Sequence, residues 1–508
     1  MLIKIGFLVV FFATMVAVGI YSRKHASSVD GFVLGGRSAG PWLTAFAYGT
    51  SYFSAVVFVG YAGQFGWKYG VASTWIGIGN ALIGSFLAWS VLGRRTRIMT
   101  QHLDAKTMPD FFEKRYGCKW LKIVASMIVF IFLIPYTASI YNGLSRLFGM
   151  AFDVSYTACV IGMAVFTGVY VILGGYMATA INDFIQGIIM LGGIIVVIVM
   201  VLNGQGGFYD AIASLAEIEA DASTSILTSG AYVSFFGPDP INLLGVIILT
   251  SLGTWGLPQM IGKFYAIKDE KAIRSGTVIS TFFAIIVSGG CYFLGGFGRL
   301  FDNAALYDES GAIVYDTIIP YMLSTLPDII IGIVVVLVLS ASMSTLSSLV
   351  LTSSSTLTLD LVKGNIIKEM KEKQTIVFMQ AMIVVFITIS VVIALNPTTF
   401  IAQLMGISWG ALAGAFLAPF LYGLYWKKTT KLAVWASFVS GVGITVSNMI
   451  FGYIASPINA GAIAMIVGLV IVPVVSLITP KPAKEDMDEI FECLDEKVVI
   501  TRRHSLED

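Results

Sequence analysis

GTSYFSAVVFVGYAGQFG, residues 49–66, and GVIILTSLGTWGLPQMIG, residues 245–262, are apolar stretches interrupted by glycine and, in the second, by Pro258. Proline lacks the amide hydrogen and frees backbone carbonyls, and Gly49, Gly60 and Gly63 loosen the first stretch. Unwound backbone at membrane depth survives only where it lines a cavity. The two stretches read as the second and seventh spans of the chain, so they start from opposite sides of the membrane. That placement predicts two inverted five-helix repeats with a cavity between the broken helices. Glycine-rich packing without a functional break is the plainer alternative, and the halves show no internal identity that decides between them.

Working outward, the chain has 508 residues, 57% of them hydrophobic and 12% charged, with a mean hydropathy of +0.85. This is the composition of an all-α polytopic membrane protein. Apolar runs predict spans at Ile3–Tyr21, Pro41–Phe65 and Val71–Leu92, then at about 121–148, 155–175, 180–203, 241–266, 276–298, 328–360, 374–395, 399–425, 431–454 and 460–479. That is about thirteen in a transmembrane domain of residues 1–480, followed by a tail over 481–508. Arg23 and Lys24 follow the first run rather than precede it, the wrong polarity for a cleaved signal peptide. Alternate loops carry the Lys and Arg, whereas the long loop from Asn203 to Asn242 has none. The positive-inside rule then puts the N-terminus outside and the C-terminus in the cytoplasm of a multi-pass plasma-membrane protein. The tail around EDMDEIFECLDEKVVI either touches the cytoplasmic loops or stays solvated.

Several classes are disfavoured. A net charge of +1 gives no reason to invoke nucleic acid. Four scattered cysteines and three scattered histidines suggest neither a disulfide framework nor a transition-metal centre. No catalytic constellation faces one aqueous surface, so an enzyme is not expected, and no obligate protein partner is evident.

The most polar span is SASMSTLSSLVLTSSS, residues 340–355, which continues the apolar IIIGIVVVLVL of residues 329–339. On a helix Ser344, Ser347 and Ser348 share a face, with Ala341 and Thr345 beside them. Uncharged oxygens suit a small hard cation such as sodium. Serines in membrane helices also bond back to their own backbone or let helices pack closely, and the residue types alone leave both readings open. Asp183, in GGYMATAINDFIQG (174–187), is the one carboxylate well placed inside a span. It either helps Ser347 and Ser348 form an oxygen cage or caps its helix end. Carbonyls freed near Thr50 and Phe53 offer a second set facing Ala341, Ser344 and Thr345.

These stretches, with FVLGGRS at 32–38, TMPDFFEKRYG at 107–117 and GLPQMIGKFYA at 256–266, resemble the sodium/solute symporter family over nearly the whole chain. The resemblance implies a leucine-transporter-like core of ten helices over about residues 40–426, one span before it and two after it. It implies a sodium site of the Thr50, Phe53 and Ala341 carbonyls with the Ser344 and Thr345 hydroxyls. In some members a second sodium site matches Asp183, Ser347 and Ser348. The implied function is import of a small organic solute driven by co-transported sodium across the bilayer.

In such a fold the solute sits between the broken helices and the third and tenth core helices. Tyr136 in PYTAS is similar to an aromatic that contacts proline in bacterial sodium/proline symporters. Two tryptophans and an aspartate typical of those symporters are replaced here by Val56, Thr250 and Tyr52, which departs from a proline site. Tyr52, Val56, Thr254, Trp255, Gln259 and Gln403 are the further candidates for lining the cavity. An amino acid such as proline or a small monocarboxylate fits that set. Two alternatives stay open: a proton-coupled transporter using Asp183, and a membrane solute sensor without turnover.

Overall fold

The computed structural model describes residues 2–22, 27–152, 154–220, 229–363, 365–367, 369–396 and 400–495. Among them every regular element is helical, and extended pairing is limited to isolated bridges such as Ala39 with Ile267. Helices satisfy their own backbone groups, which the bilayer interior cannot do.

Among the described residues, eleven helical segments are long and apolar enough to cross a membrane. Two of them, Val56–His102 and Tyr156–Gly204, run to 47 and 49 residues, about twice the ~20 that one crossing needs. The second kinks at Gly175, whose φ of 54° and ψ of −147° suit glycine alone. A Cβ at Gly175 would also lie 2.9 Å from the Phe32 carbonyl oxygen. FVLGGRS is therefore packed into the kink, and two motifs far apart in the chain are one structural unit.

The helices form a centre and a surround. In Asp328–Val362 and Ile401–Tyr425, 83% and 89% of the most apolar window is buried, against 22% in Lys4–Ser22 and 28% in Glu372–Ala394. Exposed Val9, Val10, Val278, Val439 and Ile478 belong to outer helices, where apolar side chains face lipid. The serine-rich helix Asp328–Thr356 packs on the kinked helix, on Lys119–Phe152 and on Pro41–Tyr52. Small residues permit close approach elsewhere: a Cβ at Gly410 would lie 2.7 Å from the Gly461 Cα.

TMPDFFEKRYG forms the short helix Met108–Tyr116, with Thr107 as its cap accepting from the Asp110 amide and Gly117 closing it at φ 61°. Thr107 Oγ1 also donates to Asp360 Oδ2 at 2.6 Å, tying this helix to the end of the serine-rich one. The helix Lys484–Glu492 in the tail is docked, not solvated. Asp488 pairs with Lys427 at 2.6 Å, the Arg115 guanidinium lies over the Phe491 ring, and Arg94 donates to the Leu494 carbonyl. The last residues of the tail, 496–508, lie outside the described set.

Candidate functional site

The first broken helix stops where its glycine-rich sequence predicts. Pro41–Tyr52 is helical, Phe53 is extended (φ −106°, ψ 94°), and helix resumes through a wide turn at Val56–Tyr61 into Ala62–Tyr69. Ser54 Oγ accepts from the Val56 amide, and the Ser54 carbonyl takes the amides of Val57 and Phe58. The Val57 amide, helical partner of the Phe53 carbonyl, is thereby spent elsewhere. The break likewise removes the Ser54 amide from the Thr50 carbonyl.

That Thr50 carbonyl turns to the serine-rich helix. It accepts from Ser344 Oγ at 3.0 Å and from Thr345 Oγ1 at 3.1 Å, and both hydroxyls lie 3.1 Å from the Ala341 carbonyl. Two main-chain and two side-chain oxygens thus form one tight, fully buried cluster across two helices. Phe53, three residues on, is the extended residue of the break.

The second broken helix is Pro240–Gly253 and Pro258–Ala266, with Leu257 extended between them. Pro258 occupies the first position of the inner half, where its missing amide costs nothing. Gly256 lets the break press on Ile401–Tyr425: a Cβ there would lie 2.8 Å from both the Ala413 Cα and the Leu417 amide. The Tyr52 hydroxyl donates to the Thr250 carbonyl, so the two broken helices are joined directly.

Around that joint the rings of Tyr52 and Phe53 stack at 4.3 Å, Trp409 lies 5.9 Å from Tyr52, and Tyr136 meets Trp409 edge-on at 5.9 Å. Val56 is buried beside them in the first break. The Tyr136 hydroxyl, the Trp409 indole nitrogen and both amide atoms of Gln259 are buried without a hydrogen bond. Buried polar groups are normally paired, so Tyr136 and Trp409 at the joint, and Gln259 further along the second broken helix, are candidate contacts for a polar ligand.

Other candidates are used differently. Thr254 Oγ1 donates to the Gly84 carbonyl at 3.2 Å and Trp255 Nε1 to the Ile83 carbonyl at 3.0 Å. These bonds pin the break to the neighbouring helix. Gln403 lies six residues before Trp409 on the same helix, about 9 Å along the axis.

Asp183, Ser347 and Ser348 come together with a residue that sequence analysis did not single out. Lys263, on Pro258–Ala266, is buried; its Nζ lies 3.0 Å from Ser348 Oγ and 3.6 Å from Asp183 Oδ2. Ser347 Oγ donates back to the Ser344 carbonyl at 2.8 Å. Ser348 Oγ in turn pairs with Ser51 Oγ at 2.7 Å, one residue from Thr50. A cavity of about 50 Å³, room for a few waters, is lined by Gln259, Lys263, Tyr176, Ser348 and Thr107 among others. Sequence reasoning missed Lys263, Ser51 and Trp409. The signal for Lys263 was present: it falls before residue 266, inside the span its own stretch predicts.

Comparison with known proteins fits this architecture. The model of the sodium:solute symporter family matches residues 32–441. The chain is 30% identical over 524 residues to the sodium/proline symporter of Staphylococcus aureus (strain JH9), covering 96% of each. It is 29% identical over 490 residues to the osmoregulated proline transporter OpuE of Bacillus subtilis (strain 168), covering 94% of each. A solved structure of a Na+-coupled sialic acid symporter, in a substrate-bound outward-open state, superposes with a TM-score of 0.74 at 16% identity, over 95% of this chain and 99% of that one. Its fold is the fold found here. The chain belongs to the sodium:solute symporter family.

Proposed function

We propose that this sodium-coupled symporter imports proline or a zwitterion of similar size, with sodium held by Thr50, Phe53, Ala341, Ser344 and Thr345. The observation that carries the ion assignment is the oxygen cluster in which Ser344 and Thr345 both meet the Thr50 carbonyl. Neutral oxygens converging from two helices suit a monovalent hard cation. Sodium there ties the first broken helix to the serine-rich helix and favours the solute-binding arrangement of the break. Ion and solute affinities are then reciprocally coupled. Loss of sodium on the cytoplasmic side frees the two helices to move apart and the solute to leave.

For the solute, Tyr52, Val56, Tyr136 and Trp409 supply apolar faces, and the unpaired groups of Tyr136, Trp409 and Gln259 supply polar contacts. The names of the two curated relatives favour proline. The replacements at Tyr52, Val56 and Thr250 make the pocket different in detail, so other small amino acids and short monocarboxylates belong in the test.

We place the protein in the plasma membrane with the N-terminus outside and the C-terminus inside. Reading each of the two longest helical segments as a pair of crossings returns thirteen spans. The test is uptake of radiolabelled proline, alanine, pantothenate and pyruvate into proteoliposomes, with sodium or choline outside. Sodium-driven accumulation of proline supports the proposal; accumulation of another member of the panel replaces the solute, and uptake that ignores sodium refutes the ion assignment.

A further inference from the structure

Resting on the sodium reading above, we infer that Lys263 is a built-in cation that fills the second ion site, so that this chain binds one sodium per cycle rather than two. The Lys263 ammonium occupies the space between the two residues that a second sodium would need, 3.0 Å from Ser348 Oγ and 3.6 Å from Asp183 Oδ2. It also lies 5.5 Å from the centre of the Tyr176 ring, a face attractive to cations. The third expected ligand, Ser347, gives its hydroxyl to the Ser344 carbonyl.

Charge leads to the same conclusion. Asp183 is the only carboxylate in the set, it is fully buried, and Lys263 is its ion-pair partner. One lysine neutralises one carboxylate, and a buried sodium added within a few ångströms of the ammonium meets like charge with no second acid to offset it. A hydroxyl shared between Ser348 and Ser51 links Lys263 to the residue next to Thr50. Lys263 rides on the inner half of the second broken helix, so its tether to Asp183 and Ser348 joins that half to the kinked and serine-rich helices. A sodium ion would join only the two helices that carry Asp183 and the serines. The lysine therefore adds a third helix to the site.

The test counts sodium alone, without any solute. Equilibrium binding of ²²Na+ to the purified full chain in detergent is expected to give one ion per wild-type chain. Lys263→Ala, which leaves Asp183, Ser347 and Ser348 in place, is expected to give two. Ser344→Ala/Thr345→Ala, which keeps Lys263, is expected to give none. Two ions on the wild-type chain overturn the lysine assignment, as does one ion left on the Ser344→Ala/Thr345→Ala chain, and as does an unchanged single ion on folded Lys263→Ala. A wild-type chain that binds no sodium overturns the sodium reading itself, a distinct result. Should Lys263→Ala fail to fold, the wild-type count and the double variant still decide.

Discussion

The hydroxyl of Ser344 donates to the main-chain carbonyl of Thr50 across 3.0 Å, although the two residues are 294 positions apart. A carbonyl freed by a break in one helix is met by a side chain of another, so the break and the serine stretch are two halves of one device. On the proposed sodium assignment, removing either hydroxyl removes one of the oxygens that hold the ion. Ser344→Ala and Thr345→Ala should each raise the half-saturating sodium concentration roughly ten-fold, about 1.4 kcal/mol. The double variant should lose sodium dependence, read from sodium titrations of uptake at equal expression.

Tyr136, a proposed solute contact, and Tyr52 differ in how their hydroxyls are bonded. The Tyr136 hydroxyl makes no close hydrogen bond and has only Ser54 and Trp409 near it, whereas that of Tyr52 donates to the Thr250 carbonyl. Tyr136→Phe should leave the melting temperature unchanged and weaken solute affinity about five- to ten-fold, about 1 kcal/mol. Tyr52→Phe should lower the melting temperature as well, because it leaves a buried carbonyl short of a donor. Parallel thermal melts and solute titrations distinguish the two.

Gly256 and Gly262 make a matched pair. A methyl at Gly256 would press on the backbone of Ala413 and Leu417, while none of the neighbouring atoms lies within 4 Å of a Cβ at Gly262. Gly256→Ala should cost about 1–3 kcal/mol and most of the transport. Gly262→Ala should be neutral or stabilise the helix by up to about 1 kcal/mol. Comparable behaviour of the two would contradict the close contact between the second break and Ile401–Tyr425.

Asp316, on the short helix Tyr315–Ser324, predicts a pH dependence. Burial pushes its pKa from 3.8 up to about 6, against the attraction of Arg146 and a hydrogen bond from the Ile401 amide. The folded chain therefore holds this proton more tightly than the unfolded chain, so stability falls as pH rises from about 4 to 6 and is flat above. The full change is on the order of 3 kcal/mol. Asp316→Asn should remove that slope from melting curves recorded in detergent between pH 4 and 7.

The docked tail is testable through Cys493, which is 1% exposed beneath the helix that carries Phe491 and Met487. Phe491→Ala removes the ring over which the Arg115 guanidinium lies. Labelling of Cys493 by a membrane-impermeant maleimide, mapped by mass spectrometry on purified protein, should rise several-fold over the parent chain.

The architecture was legible because its signals are local. Apolar runs set the helices, Pro258 and the glycines set the breaks, and TMPDFFEKRYG carries its own cap and stop. The meeting of the Thr50 and Ala341 carbonyls with the Ser344 and Thr345 hydroxyls was legible for a similar reason: carbonyls freed by a break need donors or ions, and the serine stretch supplies hydroxyls. What stayed hidden depended on geometry between distant segments. Lys263 stands in a predicted span with no motif to mark its partners, and only its side-chain contacts show it beside Asp183 and Ser348. Trp409 sits in a glycine-rich run with no motif to mark it, and its place against Tyr52 and Tyr136 comes from helix crossing. The bonds of Thr254 and Trp255 to the Gly84 and Ile83 carbonyls were equally hidden, because they join segments about 170 positions apart.

The two most buried helices, Asp328–Val362 and Ile401–Tyr425, are walled off by outer helices whose exposed valines and isoleucines meet the acyl chains. The oxygens around Thr50 and the rings around Trp409 therefore take their local polarity from neighbouring residues rather than from fatty-acid composition. A bilayer of different thickness or headgroup acts first on the outer helices, and so on how readily the protein changes shape. Lipid is thus expected to tune the turnover rate while leaving intrinsic ion selectivity to the chain itself.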